Sequence, residues 1–263
     1  MKKAIFITLV AVGAASSFGQ DFNVNATQIW SGAAGTKANT GFGVADDASY
    51  SNVTTFLGSA YSNGGAATQA GNTITKLVAD DLLTLSPSTT IINFTFSVSN
   101  LNTAAVSSRP RVRFYTDNAG TAGTYLVGYT FNPISFGAGT VGLYTATITP
   151  GQFVIPADGK VWAGITFDDN TGLSGATLAQ MNLLGQGIFD PPTQGSSTDI
   201  FFQTSAAGSF SFTNNPPGGL FNFGGTPKAN FGWAFTAVPE PASFAILGLG
   251  LVGLVARRRR SSK

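Results

Sequence analysis

Arg109, Arg111 and Arg113 recur at every second position, and Tyr115 follows in the same phase. Residues two apart share one face of a β-strand, so three guanidinium groups would stand in a row there. Planar guanidinium forks match carboxylates. Such a row can grip an acidic polysaccharide, or it can be the solvated face of a half-buried strand paired to nearby aspartates. Trp162 lies opposite Val161, Ala163, Ile165 and Phe167; an indole exposed there can stack on a sugar ring, and a buried one fills a sheet edge. Trp30 and Trp233 carry the same two readings, although Trp233 alternates with Phe231 and Phe235, which favours core. Asp168-Asp169-Asn170-Thr171-Gly172 is an oxygen-rich turn after a strand. It can offer carboxylates and carbonyls to calcium, a hard cation, or close an Asx turn. The loop spacing is only partly met, with no acid at the closing position. Asp46-Asp47 and Asp80-Asp81 are further acid pairs near turns or strand edges. The Asn-x-Thr triplets at Asn25, Asn52 and Asn93 are read as chance.

What is missing narrows the chemistry. The 263 residues include no cysteine and no histidine, and Glu240 is the one glutamate. There is thus no disulfide framework or thiolate, no imidazole base, and neither of the common zinc ligands. A glycosidase would have to work with aspartates alone, and a serine hydrolase would need an unusual base. The expectation is a protein that is not an enzyme and has no cofactor beyond the calcium candidate. Between Gln20 and Val238 lie seven basic residues and eleven aspartates, a net charge of −4. The overall +2 therefore belongs to the termini, and nucleic acid is not an expected partner.

The elements that must position these groups are strands. Ile92, Phe94, Phe96 and Val98 alternate with Asn93, Thr95 and Ser97, the period-two pattern of a half-buried strand. The same pattern predicts strands at 111–116, 125–131, 143–149, 161–167 and 231–237, with weaker ones at 25–30, 72–78, 153–155 and 210–213. β-branched and aromatic residues suit a core between two sheets. The expected fold is all-β, a single antiparallel β-sandwich of jelly-roll type spanning residues 20–237. Residues 32–72 should hold its first strands and long loops, and 171–230 an elaborated loop. With no block repeat, a solenoid or propeller is rejected.

Both ends read as sorting devices. Lys2 and Lys3 precede an apolar run, Ala4 to Ala15, followed by the small residues of Ser16-Ser17-Phe18-Gly19. This predicts a signal peptide over 1–19, handed to the secretion channel and signal peptidase, cleaved after Gly19 or after Ser17. At the other end stand Pro239-Glu240-Pro241, an uncharged stretch from Ala242 to Ala256, and Arg257-Arg258-Arg259-Arg260. The prolines keep the chain extended and outside a sheet. The apolar stretch should form a single hydrophobic helix. Its 15 residues fall short of the ~20 that span a bilayer comfortably. The four arginines would hold its end in the cytoplasm.

This three-part tail, residues 238–263, resembles the PEP-CTERM sorting signal of exported bacterial proteins. The resemblance implies recognition of Pro239, Glu240 and Pro241 by a membrane-embedded exosortase, removal of the apolar tail, and release or attachment at the cell surface. It also implies an association with exopolysaccharide and a biofilm matrix. The expectation is therefore a non-enzymatic cell-surface or matrix protein, held in the membrane by its C-terminal helix until processed. The alternative is a carbohydrate-binding module using Arg109, Arg111, Arg113 or Trp162, with or without calcium at Asp168, Asp169 and Asn170. An Asp-dependent hydrolase would need carboxylates facing each other across a cleft.

Overall fold

The computed structural model describes residues 20–42, 48–169, 175–210 and 213–238. The expected signal peptide, Asp46, Asp47, Asn170, Pro239-Glu240-Pro241, the apolar stretch and Arg257 to Arg260 lie outside the described residues. The chain opens with β1 (Gln20–Val24), β2 (Ala26–Ala33), β3 (Ala38–Asn39), β4 (Ala48–Ser51), β5 (Thr55–Ser62) and β6 (Ala67–Gln69). There follow β7 (Asn72–Ile74), β8 (Val78–Leu83), β9 (Thr90–Asn100), β10 (Val106–Asp117), β11 (Ala122–Phe131) and β12 (Ile134–Phe136). The last elements are β13 (Thr140–Thr147), β14 (Lys160–Asp168), α1 (Leu178–Met181), β15 (Leu184–Phe189), β16 (Ser196–Thr204), β17 (Gly218–Phe221) and β18 (Trp233–Val238).

These strands make two sheets. The first runs β1-β11-β10-β14-β8-β16-β17, and the second β2-β13-β9-β15-β5-β3, with β18 joining β9 to β4. Pairing is antiparallel with one exception: β1 runs parallel to β11, Gln20 facing Val127 and Val24 facing Phe131. The expectation of a purely antiparallel sandwich is corrected there. Alternation explains which faces meet. Phe94, Phe96 and Val98 of β9 are buried with Val112 and Phe114 of β10, Tyr129 and Phe131 of β11, and Val161, Ala163, Ile165 and Phe167 of β14. Phe94 packs edge-on to Phe114 with ring centroids 5.4 Å apart, and Phe96 lies 5.0 Å from Phe131, so aromatic pairs bridge the two sheets. At the start of β9 the alternation slips, and Ile91 is buried where Ile92 is half-buried. Pro110 falls where the neighbour of β10 changes from β12 to β11, a break in pairing that suits a residue with no N–H.

Both outer faces are also partly covered. Val53, Phe56, Val141, Leu143 and Phe189 form a cluster on the back of the second sheet, with Trp30 packed against it. Leu77, Ala79, Tyr115, Tyr125, Trp162 and Phe202 form another on the back of the first. The stretch 171–230, expected to be a loop, contributes β15, β16 and β17 to the sheets themselves. The six residues of β15 are buried throughout, so no polar alternation marks them, and glycine and glutamine dilute the apolar signal. Of the weaker strand expectations, 72–78 divides between β7 and the start of β8, and 153–155 supplies one bridge, Val154 to Thr90.

Candidate functional site

The arginine row lies on the outer face of the first sheet. Arg109 on β10 stands directly across from Asp168 on β14, and Arg111 sits two residues along on the same face, within diagonal reach. Asp168 is fully buried and takes both: Arg109 Nη2 donates to Oδ2 at 2.5 Å, Arg109 Nε at 3.1 Å and Arg111 Nε at 3.1 Å. Burial pushes the Arg111 guanidinium below its usual range, and the Asp168 charge pulls it back up. Arg113 is buried and donates to the carbonyl of Ser209.

That carbonyl belongs to residues 205–210, which lie over the back of the sheet as a strap. Gly208 N donates to Thr75 O at 2.6 Å, Gln69 donates to Ala207 O, and the Arg111 guanidinium lies 4.5 Å above the Phe210 ring. Separately, Asn214 accepts from Tyr125 N at 2.8 Å and Asn215 N donates to Gly123 O at 2.7 Å. Gly208 permits the crossing. A Cβ there would sit 2.4 Å from Thr166 Cγ2 and 3.0 Å from Thr75 O, closer than side chains pack. The three guanidinium groups thus face a carboxylate and a covering loop. Asp169 meanwhile accepts from Thr73 N at 2.8 Å. Among the described residues no group of three or more Asp, Glu, His or Cys side chains is placed to hold a metal ion.

Trp162 lies on the same outer face, directly between Tyr115 on β10 and Asp81 on β8. It is 2% exposed, and its Nε1 donates to Asp117 Oδ1 at 2.9 Å. Beside it opens a cleft of about 230 Å³, walled by Leu83, Lys160, Ser197 and Ile200 with Asp81 and Asp117. This juxtaposition was not legible in the sequence. The Asp80-Asp81 pair was visible as an acid pair, but nothing local placed it across a strand from Trp162.

Consecutive residues of a strand face opposite ways, and Asp80 and Asp81 divide accordingly. Asp81 faces the cleft and accepts from Thr198 Oγ1 at 2.7 Å, Thr198 N at 3.1 Å and Ser197 Oγ at 3.2 Å. Asp80 points into the core, fully buried beside Tyr50. It accepts from Phe231 N at 2.8 Å and from Ser197 Oγ at 2.9 Å. Burial, with the Asp81 charge next to it, drives the Asp80 carboxyl well above the usual carboxylate range, and burial raises Asp81 as well. Tyr50 is raised for the same first reason, burial, with Asp80 adding to it. Asp199 binds the neighbouring backbone, accepting from Ala229 N at 2.6 Å and Phe223 N at 3.2 Å. Two carboxylates thereby hold residues 229–231, the approach to β18.

β18 is the last described strand. It is bound on both sides, Phe235 pairing with Phe94 of β9 and with Tyr50 of β4, and Val238 pairs with Thr90. A protein-family model described as the PEP-CTERM protein-sorting motif matches residues 237–260. This chain carries a PEP-CTERM sorting motif. The matched span takes in the Pro239-Glu240-Pro241 triplet and Arg257 to Arg260, and it begins on the last residues of β18. A PEP-CTERM motif supports an exosortase-processed protein of the cell surface or extracellular space. No curated protein and no solved structure matched the chain. Among the described residues no helix is long and apolar enough to cross a membrane.

Proposed function

We propose that this protein is exported, cleaved near Pro239-Glu240-Pro241 by an exosortase-type enzyme, and left at the cell surface or in the extracellular matrix, with a β-body that is structural and not catalytic. The observation that carries this is the PEP-CTERM match over 237–260, attached without a spacer to a strand bound on both edges. Residues 1–19 complete the reading as a signal peptide. Ala242 to Ala256 serve as a helix that holds the chain in the membrane until processing, and Arg257 to Arg260 as its cytoplasmic stop. A jelly-roll connectivity is part of the proposal, because the chain passes repeatedly from one sheet to the other, as at β8 to β9, β9 to β10 and each step from β12 to β16. The absence of histidine and cysteine from the sequence supports a non-enzymatic role.

Carbohydrate binding is the second reading, favoured by one observation, the cleft beside Trp162. Arg109, Arg111 and Arg113 support it less, since each already has a partner inside the fold. Calcium at Asp168, Asp169 and Asn170 is the less favoured part of that reading, because Arg109 and Arg111 already bind Asp168 Oδ2.

The test of the sorting reading is the mass and location of the mature chain in a host that has the processing enzyme. Wild type should lose the mass of the apolar tail and leave the membrane fraction. Glu240→Ala and Pro239→Ala should keep the tail and stay in the membrane. Unchanged mass and location in both variants would refute the reading.

A further inference from the structure

We propose that the cleft beside Trp162 binds a neutral sugar ring and discriminates against acidic sugars. This deepens the carbohydrate reading above and is independent of the sorting motif. The cleft arises from an irregularity in pairing. β16 follows β8 with Ser196 opposite Leu83 and Ser197 opposite Leu82, then loses register before Phe201 meets Asp80. The extra residues bulge from the sheet, and such bulges re-aim side chains. Here they leave Ile200 37% exposed, and Leu83, which lines the same cleft, is 43% exposed. Those two aliphatic groups are the exposed apolar part of the wall, with Leu82, Val161 and Trp162 buried behind it.

Polar atoms ring that apolar surface. Asp81 Oδ2 accepts one hydrogen bond, from Thr198 Oγ1, and a carboxylate oxygen has room for a second. Lys160 Nζ stands 3.6 Å from Asp117 Oδ2, too far for a direct hydrogen bond, so its donors are available. Ser196 and Thr198 on the rim add hydroxyls. A pyranose has the complementary form, with C–H groups on its faces and hydroxyls around its edge. The volume, about 230 Å³, lies below the usual range for drug-sized ligands and suits one ring of a longer chain. Charge sets the discrimination. Two carboxylates against one ammonium leave the cleft net negative, so an acidic sugar meets repulsion. The arginines that would have welcomed it lie away from the cleft, bound to Asp168 and the strap.

The test is calorimetry and intrinsic tryptophan fluorescence on the full chain in detergent. It is titrated with neutral tetramers of glucose, galactose, mannose and N-acetylglucosamine, and with a galacturonate tetramer. The expected result is saturable binding of at least one neutral tetramer, with Kd on the order of millimolar and no saturation by galacturonate. Leu83→Arg fills the cleft from an exposed position and should weaken binding about tenfold or more. Lys160→Ala, also at an exposed residue, should weaken it to a smaller degree. Lys37→Ala, at an exposed residue beside β3 of the second sheet, should leave it unchanged. Silence across the neutral panel, or equal binding of galacturonate, overturns the proposal. Neutral binding that survives both Leu83→Arg and Lys160→Ala also overturns it, while leaving a carbohydrate-binding role elsewhere on the body intact.

Discussion

Asp168→Asn is the substitution that tests how the outer face of the first sheet is held together. The side chain keeps its shape and loses its charge, while Arg109 and Arg111 keep theirs. Asp168 is fully buried, and the arginine side chains are only 21% and 11% exposed, so water cannot readily replace the lost carboxylate. Removing one partner of a buried pair leaves an uncompensated charge and costs about 3–5 kcal/mol. In a body of this size each kcal/mol lowers Tm by about 2–4 °C, so the fall should lie between about 6 and 20 °C. The assay is thermal and urea unfolding followed by circular dichroism. Added salt should change the loss little, because the pair is shielded from mobile ions. A second variant, Arg111→Met in the Asp168→Asn background, should recover part of the loss by removing one of the stranded charges. A drop below about 1 kcal/mol would match an exposed salt bridge and refute the claim that this face is sealed. The same result would return the arginines to the list of groups free to meet a ligand.

Asp80 makes a prediction about pH. Its folded pKa lies above its unfolded value of about 3.9, so the folded state holds the proton more tightly. The stability this confers is complete below the unfolded pKa and is lost as pH rises through the folded pKa. Asp80→Asn imitates the protonated form, its Oδ1 accepting from Phe231 N and its Nδ2 donating to Ser197 Oγ. The variant should therefore melt above wild type at about pH 7, with the gap closing toward about pH 4. A variant that melts below wild type at neutral pH would show that the ionised carboxylate is favourable and the reasoning wrong. Gly208→Val should push the strap off Thr166 and cost about 1–3 kcal/mol. It should also raise hydrogen exchange at the Gly208 and Asn215 amides while that of β9 stays unchanged; uniform exchange rates across the variant and wild type would refute the strap contact.

The legible part of this protein is the part whose meaning is local. Phe94, Phe96 and Val98 announce a strand because a side-chain period of two needs no partner to be seen, and the core does receive them. The Pro239-Glu240-Pro241 triplet with its basic end is likewise a linear pattern, so its spacing alone carries it and the match over 237–260 agrees. β15 escaped notice because both of its faces are covered, which erases the alternation. The parallel pairing of β1 escaped because strand direction depends on a partner about a hundred residues away.

The candidate sites divide along the same line. Sequence alone placed Arg109, Arg111 and Arg113 on one face, as the period of a strand requires. It left open whether that face meets water, a glycan or the protein itself. Only the tertiary structure decided, by setting Asp168 across from Arg109 and laying residues 205–210 over the row. Trp162 gained its neighbours the same way, through registers with Tyr115 and Asp81 that no local pattern encodes. What a residue is and which way it faces are properties of the chain; what it faces is a property of the fold, because the partner of a strand residue is set by long-range pairing.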